Sequence, residues 1–279
     1  MPAPDSRPTP PRGVLYTDVD GTLVGPLGNF FWTSDRRPSL AAAEALVRAA
    51  REGLEVVPVS GRSRTGMFEV ARLLGIRSWI CELGGIRVYE RGEEIVHDHG
   101  AFPGDGPPTA ELWEALGALV ERYPGRVEEH APWNDTREAS LVLRGDLDLT
   151  EAEAFLAEAG FPWAELLDNG VIPRHYDTLP TVGLVHAYHL VPRGVSKAAG
   201  IAADRARRGL PREACAMVGD ASADLECRRE VGRCFLVRNG LVKDPALGWT
   251  LEPASGVEVT EAGHGEGFAE VVHRLLDGS

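Results

Sequence analysis

Asp18 and Asp20 stand two residues apart in Thr17-Asp18-Val19-Asp20-Gly21-Thr22, directly after the apolar run Val14-Leu15-Tyr16. In extended backbone, residues i and i+2 face the same side, so both carboxylates would project together past the end of a strand. The carboxyl ends of strands are where open α/β sheets bind ligands. Asp220 and Asp224 stand at a second such end, in Gly219-Asp220-Ala221-Ser222-Ala223-Asp224. If the two strands are neighbours, up to four carboxylates converge. Their mutual repulsion calls for a cation. Oxygen-only donors favour Mg²⁺, which keeps several waters and shares the phosphate oxygens of a substrate.

Two further pieces suit a phosphate. Ser60-Gly61 opens the turn after the apolar run Leu54 to Val59, offering a hydroxyl and backbone N–H groups. Lys197 begins a helical stretch, where its ammonium and the helix N-terminus can face one anion. Phosphoryl transfer asks for an in-line nucleophile, an acid for the leaving group and charge neutralisation, and this set supplies each. Taken singly, every piece has a plainer reading. Asp-x-Asp is common on solvated loops, Ser-Gly-Arg is a turn, Gly-Asp-x-x-x-Asp is a helix entry, and Lys197 is a solvated helix residue. Their order at successive strand ends carries the joint reading.

The elements that must position these residues follow from pattern. Short apolar strands at 14–17, 54–59 and 78–81 alternate with helices over 39–52 and 65–74, stopped by Gly53 and Gly75. This is a doubly wound, Rossmann-like parallel-sheet pattern. The rhythm changes at residue 85. A hairpin (86–89 and 94–97), helices at 109–122 and 150–158, and strands at 139–144, 164–167 and 181–191 form an inserted α+β cap. The α/β pattern returns with a helix over 196–208, strands at 214–218, 234–237 and 257–260, and helices at 223–230 and 266–276. The expected organisation is a leader over 1–12, an α/β core of 13–84 and 193–279, and a cap of 85–192.

Composition agrees. The chain has 279 residues and a formal net charge of −13, with 43% hydrophobic and 25% charged residues, as in globular proteins. The acidic balance argues against general binding to nucleic acid or anionic membranes. No apolar run approaches the ~20 residues that span a bilayer. The four cysteines show no C-x-x-C spacing and read as reduced core thiols. The Pro-rich stretch 1–12 has no apolar signal region, and the whole is expected to be cytoplasmic.

Asp18-Val19-Asp20-Gly21-Thr22, Ser60-Gly61-Arg62, Lys197 in Gly194-Val195-Ser196-Lys197, and Gly219-Asp220 with Asp224 resemble the four ordered motifs of the haloacid dehalogenase superfamily. The placement of the insertion resembles the Cof-type cap, with sucrose-phosphatase and mannosyl-phosphoglycerate phosphatase as similar branches. The resemblance implies Asp18 as nucleophile and Asp20 as acid and base, the latter also ligating Mg²⁺ through its carbonyl oxygen. It implies Ser60 and Lys197 as phosphoryl ligands, with Gly61 in the same turn, Thr22 as support of the first loop, and Asp220 and Asp224 as metal ligands with Asp18. The chain departs from the pattern at Ala221 and Ala223, where relatives often carry polar residues, and at Leu83, where they often carry Asn.

The implied activity is a Mg²⁺-dependent phosphomonoesterase acting on a small phosphorylated metabolite such as a sugar, polyol or glycerate phosphate. The partner would be that metabolite, with no nucleic acid or membrane, and the chain a monomer or homodimer. Alternatives are a phosphotransferase or mutase of the same fold, and a non-catalytic binding protein. In the inserted segment, Arg137, Arg174 and His175 are candidates for reading a second anionic group, against a plainer reading as a solvated cap face. The apolar loop 25–38 reads as a flap on the core, and His97/His99 and His186/His189 as surface or packing histidines rather than metal pairs.

Overall fold

A computed structural model describes residues 13–172 and 174–278, so the expected leader lies outside the described residues. In chain order the elements begin with β1 (Gly13–Thr17), α1 (Ala41–Glu52), β2 (Leu54–Pro58), α2 (Arg64–Leu74), β3 (Trp79–Cys81), β4 (Ile86–Tyr89) and β5 (Glu94–His97). Then come α3 (Thr109–Arg122), β6 (Val127–Glu129), β7 (Leu141–Gly145), α4 (Leu149–Glu158), β8 (Ala164–Ile172) and β9 (Val185–Pro192). The chain closes with α5 (Lys197–Arg208), β10 (Cys215–Gly219), α6 (Ser222–Glu226), β11 (Arg233–Leu236), α7 (Arg238–Lys243), β12 (Glu258–Val259) and α8 (His264–Asp277).

Two compact units result. One holds the described residues of Met1–Ser60, with Gly75–Ile80 and Lys197–Ser279; the other holds Gly61–Leu74 and Cys81–Ser196. The second unit thus takes in the expected insertion together with 61–74, 81–84 and 193–196.

The first unit is built on a sheet of order β12-β11-β10-β1-β2, parallel throughout. Val59 extends it by a parallel bridge to Ile80. Its strands are apolar on both faces because both are covered. Val14 and Tyr16 of β1 and Met217 of β10 pack with Ile201 of α5 and Leu225 of α6. Leu15, between them, is equally buried, and α1 packs on α8. Gly53 ends α1 in the left-handed conformation (φ 78°), its N–H returning to the Ala49 carbonyl, a stop that glycine makes without steric cost.

The second unit carries an antiparallel sheet of order β6-β7-β9-β8. Leu112 and Leu119 of α3 and Leu156 of α4 pack on Leu141, Leu143, Tyr188 and Leu190. The period of two sends Val142 and His189 to the other face. A β4–β5 hairpin turns through Arg91 and Gly92, both at positive φ.

Several elements differ from the sequence expectation. β6 and α7 were not foreseen, since three and six residues give no readable period. α6 stops at Glu226 and tightens into a 3-10 turn over Cys227–Arg229. β8 runs on to Ile172 across an irregularity between Asp168 and Val171. The loop 25–38 is only partly a packed flap. Leu27 and Phe31 are exposed, and the tip is held by its own backbone bonds, Thr33 N–H to Arg37 O and Arg36 N–H to Thr33 O, each 2.9 Å. All four cysteines are buried and free. No helix among the described residues is long and apolar enough to cross a membrane.

Candidate active site

In the first unit, β1 and β10 are neighbours, and the Asp18 N–H donates to the Val218 carbonyl at 2.9 Å. The first motif and the fourth therefore leave the sheet side by side. Asp224 folds back from α6 over the end of β10. A Cβ on Gly219 would lie 2.1 Å from the Asp224 Cβ, so that return path exists only for glycine. The result is a buried group of three carboxylates, Asp18, Asp220 and Asp224, with one potential ligand oxygen from each within 4.8 Å of the others.

Lys197, the first residue of α5, bridges two of them. Its Nζ donates to Asp18 Oδ1 at 2.6 Å and to Asp224 Oδ1 at 2.7 Å. Asp224 Oδ2 accepts the N–H groups of Asp220 and Ala221, both at 3.1 Å. Both Asp224 oxygens are thus engaged by the protein, and its N–H contacts brace the loop that presents Asp220. Ala221, one of the departures from the motif, forms no side-chain cap on α6, and the Asp224 carboxylate takes that role at the helix start.

Burial pushes the Asp18 carboxyl up from 3.8 to about 8, against the pull of Lys197 and with further push from Asp224 and Asp220. Burial raises Asp220 as well, with Lys243 opposing. Burial works against the Lys197 charge, yet Asp18 and Asp224 carry it above the ordinary lysine range. A carboxyl group that favours a proton with an ammonium 2.6 Å away sits in a site short of positive charge. The donor chemistry fits a hard dication such as Mg²⁺: oxygens only, three carboxylates, and an excess of negative charge. Asp18 and Asp220 would hold it, with Asp224 the more committed to the protein.

The remaining first-unit candidates lie close along the chain. Val59 N–H donates to Thr17 O at 2.8 Å, so Ser60 emerges one strand over from Asp18 at the same end of the sheet. Ser60 is buried, and its own N–H donates to the Ile80 carbonyl. Asp20 is exposed, and its carboxylate is not part of the buried trio. Thr22 is fully buried, and its hydroxyl has no hydrogen-bond partner among the described residues.

Sequence reasoning missed two residues of α7. Asn239 Nδ2 donates to the Gly21 carbonyl at 2.8 Å while its Oδ1 accepts the His264 N–H at 2.7 Å, tying the first motif to the start of α8. Lys243 Nζ donates to Asp220 Oδ2 at 3.0 Å. The available signal was position: α7 follows the end of β11, a third strand end on the same edge of the sheet.

In the second unit the structure places the three other candidates unequally. Arg137 is buried rather than solvated. It donates to the Trp133 carbonyl (2.9 Å), to Ser140 Oγ (2.8 Å) and to the Gly61 carbonyl (2.9 Å). Its role in the fold is to fix the turn after Ser60. Gly61 also lies against His189, whose ring would be 2.9 Å from a Cβ there. Arg174 and His175 are exposed, the first over the Tyr176 ring and the second 3.7 Å from Asp177. His97 pairs with Glu138 and His186 with Asp168.

Comparison with known proteins places this geometry. Residues 15–103 match the haloacid dehalogenase-like hydrolase family. A phosphoglycolate phosphatase of Methanoculleus marisnigri is 29% identical over 262 residues, covering 93% of this chain and 95% of that protein. One of Metallosphaera sedula is 28% identical over 236 residues, covering 84% and 87%. Among solved structures, Thermoplasma acidophilum 0175 shares the fold with a TM-score of 0.66 at 20% identity, over 95% of this chain and 98% of that one. The sucrose-phosphatase of Synechocystis, solved with sucrose and phosphate, shares it at 0.65 and 16% identity, over 96% and 98%. The matched stretch includes the strand ends that present Asp18, Asp20 and Ser60, and over those residues the chain is similar to the haloacid dehalogenase-like hydrolases.

Proposed function

We propose that the protein is a Mg²⁺-dependent phosphomonoesterase for a small phosphorylated metabolite, working through an aspartyl-phosphate on Asp18. The observation that carries the reading is Lys197 bridging Asp18 and Asp224 beside Asp220, which leaves a buried, electron-rich carboxylate in a site that calls for more positive charge. An Asp18 oxygen attacks phosphorus and the ester P–O bond breaks. The departing alkoxide takes a proton from Asp20, whose exposed carboxyl can exchange with solvent. Water then attacks the aspartyl-phosphate, its proton passing to Asp20, and inorganic phosphate leaves with Asp18 restored. Lys197 and the Ser60 hydroxyl hold the phosphoryl oxygens. Mg²⁺ held by Asp18, Asp220 and the Asp20 carbonyl would neutralise the charge that develops on the transferring group.

The relatives named as phosphoglycolate phosphatases support a short phosphorylated hydroxy acid as substrate, ahead of a sugar phosphate. Arg174 and His175 are proposed to read the part of the substrate beyond phosphorus; Arg137 is not, because its donors are committed to protein oxygens. Phosphate release should be measured on phosphoglycolate, phosphoglycerates and sugar phosphates, with Mg²⁺ and with excess EDTA. Release from at least one substrate, abolished by EDTA, is the expected result. Transfer to an acceptor without free phosphate would replace the hydrolase with a phosphotransferase. No turnover of any substrate would sink the reading.

A further inference from the structure

The three carboxylates are neutralised from two directions, and the two cations differ in kind. Lys197 reaches Asp18 and Asp224 from within, with a side chain only 9% exposed. Lys243 reaches Asp220 from outside: its side chain is 53% exposed, whereas that of Asp220 is 4% exposed. An ammonium sealed among its partners cannot leave without stranding buried charge. One on a flexible four-carbon stem with half its surface in water can leave at small cost.

The surroundings of Lys243 are fixed even though its stem is free. A Cβ on Gly240 would lie 2.7 Å from the Asp220 carbonyl oxygen, so α7 rests directly on the backbone of that aspartate. Asn239 ties the helix to Gly21 and His264. On the other side, a Cβ on Gly21 would lie 2.5 Å from Asp220 Oδ2. Asp220 Oδ2 is therefore held between the first-motif backbone and the Lys243 ammonium. The carboxylate is positioned by the fold; the ammonium is positioned by charge.

From this we infer that Lys243 is a tethered, displaceable counter-ion that competes with the divalent cation for Asp220. The inference rests on the Mg²⁺ reading above. Without metal, the ammonium sits on Oδ2 and limits repulsion among the three carboxylates. When a dication arrives, two positive centres at one carboxylate repel, and Lys243 swings into solvent. Its presence weakens metal binding and makes the site exchange its ion readily.

The test is Mg²⁺ titration of the full chain, followed by isothermal calorimetry and by the thermal midpoint, for wild type, Lys243→Met and Lys243→Arg. Met keeps the stem and removes the charge; Arg keeps the charge. The expected result is a Kd for Mg²⁺ about five- to tenfold tighter in Lys243→Met and within about twofold of wild type in Lys243→Arg. Lys243→Met should also have a lower midpoint than wild type without metal and an equal or higher one at saturating Mg²⁺, which separates lost pairing from a general folding defect. If wild type binds Mg²⁺ and Lys243→Met binds it equally or more weakly, the competition is overturned and the metal site stands. If wild type binds no Mg²⁺, the metal reading falls and this inference falls with it.

Discussion

Glu82 in the second unit is as deeply buried as Asp224 in the first, but its carboxylate meets a full set of donors. It accepts the Glu138 N–H at 3.0 Å, the Ala139 N–H at 2.9 Å and the Ser140 hydroxyl at 2.8 Å. Ser140 in turn accepts from Arg137, whose other donors go to two backbone carbonyls. Burial raises the Glu82 pKa, with Arg137 and these hydrogen bonds opposing. In the first unit, Asp18 and Asp224 share a single buried ammonium, and Asp220 leans on a half-exposed one. Both clusters bury ionisable side chains at the ends of strands. Only the first leaves charge to be completed from outside. Buried charge alone is therefore no mark of function; the mark is compensation that stops short.

The contrast breaks most sharply at Asp18. An amide in its place is a poor nucleophile and a weaker metal ligand. Asp18→Asn should lower phosphate release by about a thousandfold or more, since losing several kcal/mol of transition-state stabilisation costs about tenfold per 1.4 kcal/mol. Its circular dichroism and urea midpoint should stay close to those of wild type. Turnover within about tenfold of wild type would remove Asp18 from the chemistry.

Arg137 tests the closed cluster. Arg137→Met removes the cation that reaches Glu82 through Ser140 and takes away the donor to the Trp133 and Gly61 carbonyls and to the Ser140 hydroxyl, and leaving a buried polar group unsatisfied costs about 1–3 kcal/mol. Urea unfolding should show a loss of that order. The double variant Arg137→Met/Glu82→Gln should lose less than the two single variants together, because the residues are coupled. Strict additivity would show that the two side chains contribute independently.

The open cluster answers to pH and metal instead. Asp18 titrates near 3.8 in the unfolded chain and about 8 in the metal-free fold. The fold therefore keeps a proton that the unfolded chain releases, and metal-free stability falls as pH rises from about 4 to 8. In the proposed reading, Mg²⁺ would take the place of that proton. The stabilisation it confers, about 2.7 kcal/mol at a hundredfold excess over Kd, should grow between pH 5 and 8. Thermal midpoints with Mg²⁺ and with EDTA across that range provide the check. A gain that shrank with rising pH would contradict the charge deficit.

How much of this was legible depended on what each residue's environment is made from. Asp18, Ser60, Asp220 and Asp224 could be placed because each follows an apolar run that ends at the sheet's carboxyl edge, and strand neighbours did the rest. Asn239 and Lys243 could not, because α7 is too short and too mixed in composition to announce a helix. Arg137 was visible as a cation in the insertion, but it is linked through Ser140 to Glu82, a residue distant in sequence, and no local pattern encodes such a partner. The same holds for the boundary between the units. The motif-two turn reads as core in sequence, yet Gly61 is bonded to Arg137 and groups with the second unit.

The smallest effect is expected at Leu83, beside Glu82. It is buried against Val191 and Val195, but its backbone is left-handed, at φ 59° and ψ 20°. That conformation suits Asn far better than a bulky apolar residue, and a non-glycine residue held there carries about 1–3 kcal/mol of strain. Leu83→Asn gives up apolar burial worth about 1.5–3 kcal/mol and recovers part of it as relieved strain. The buried amide adds a cost here as at any buried site, so the net loss should be smaller than at an unstrained buried leucine by the relieved strain, about 1–3 kcal/mol. Leu112, fully buried in α3 with ordinary helical backbone, has no strain to recover. Leu112→Asn should therefore cost about 3 kcal/mol or more, since it adds an unpaired buried amide to the lost packing. Urea midpoints of the two variants make the comparison. Equal losses would mean that the left-handed backbone at Leu83 carries no strain.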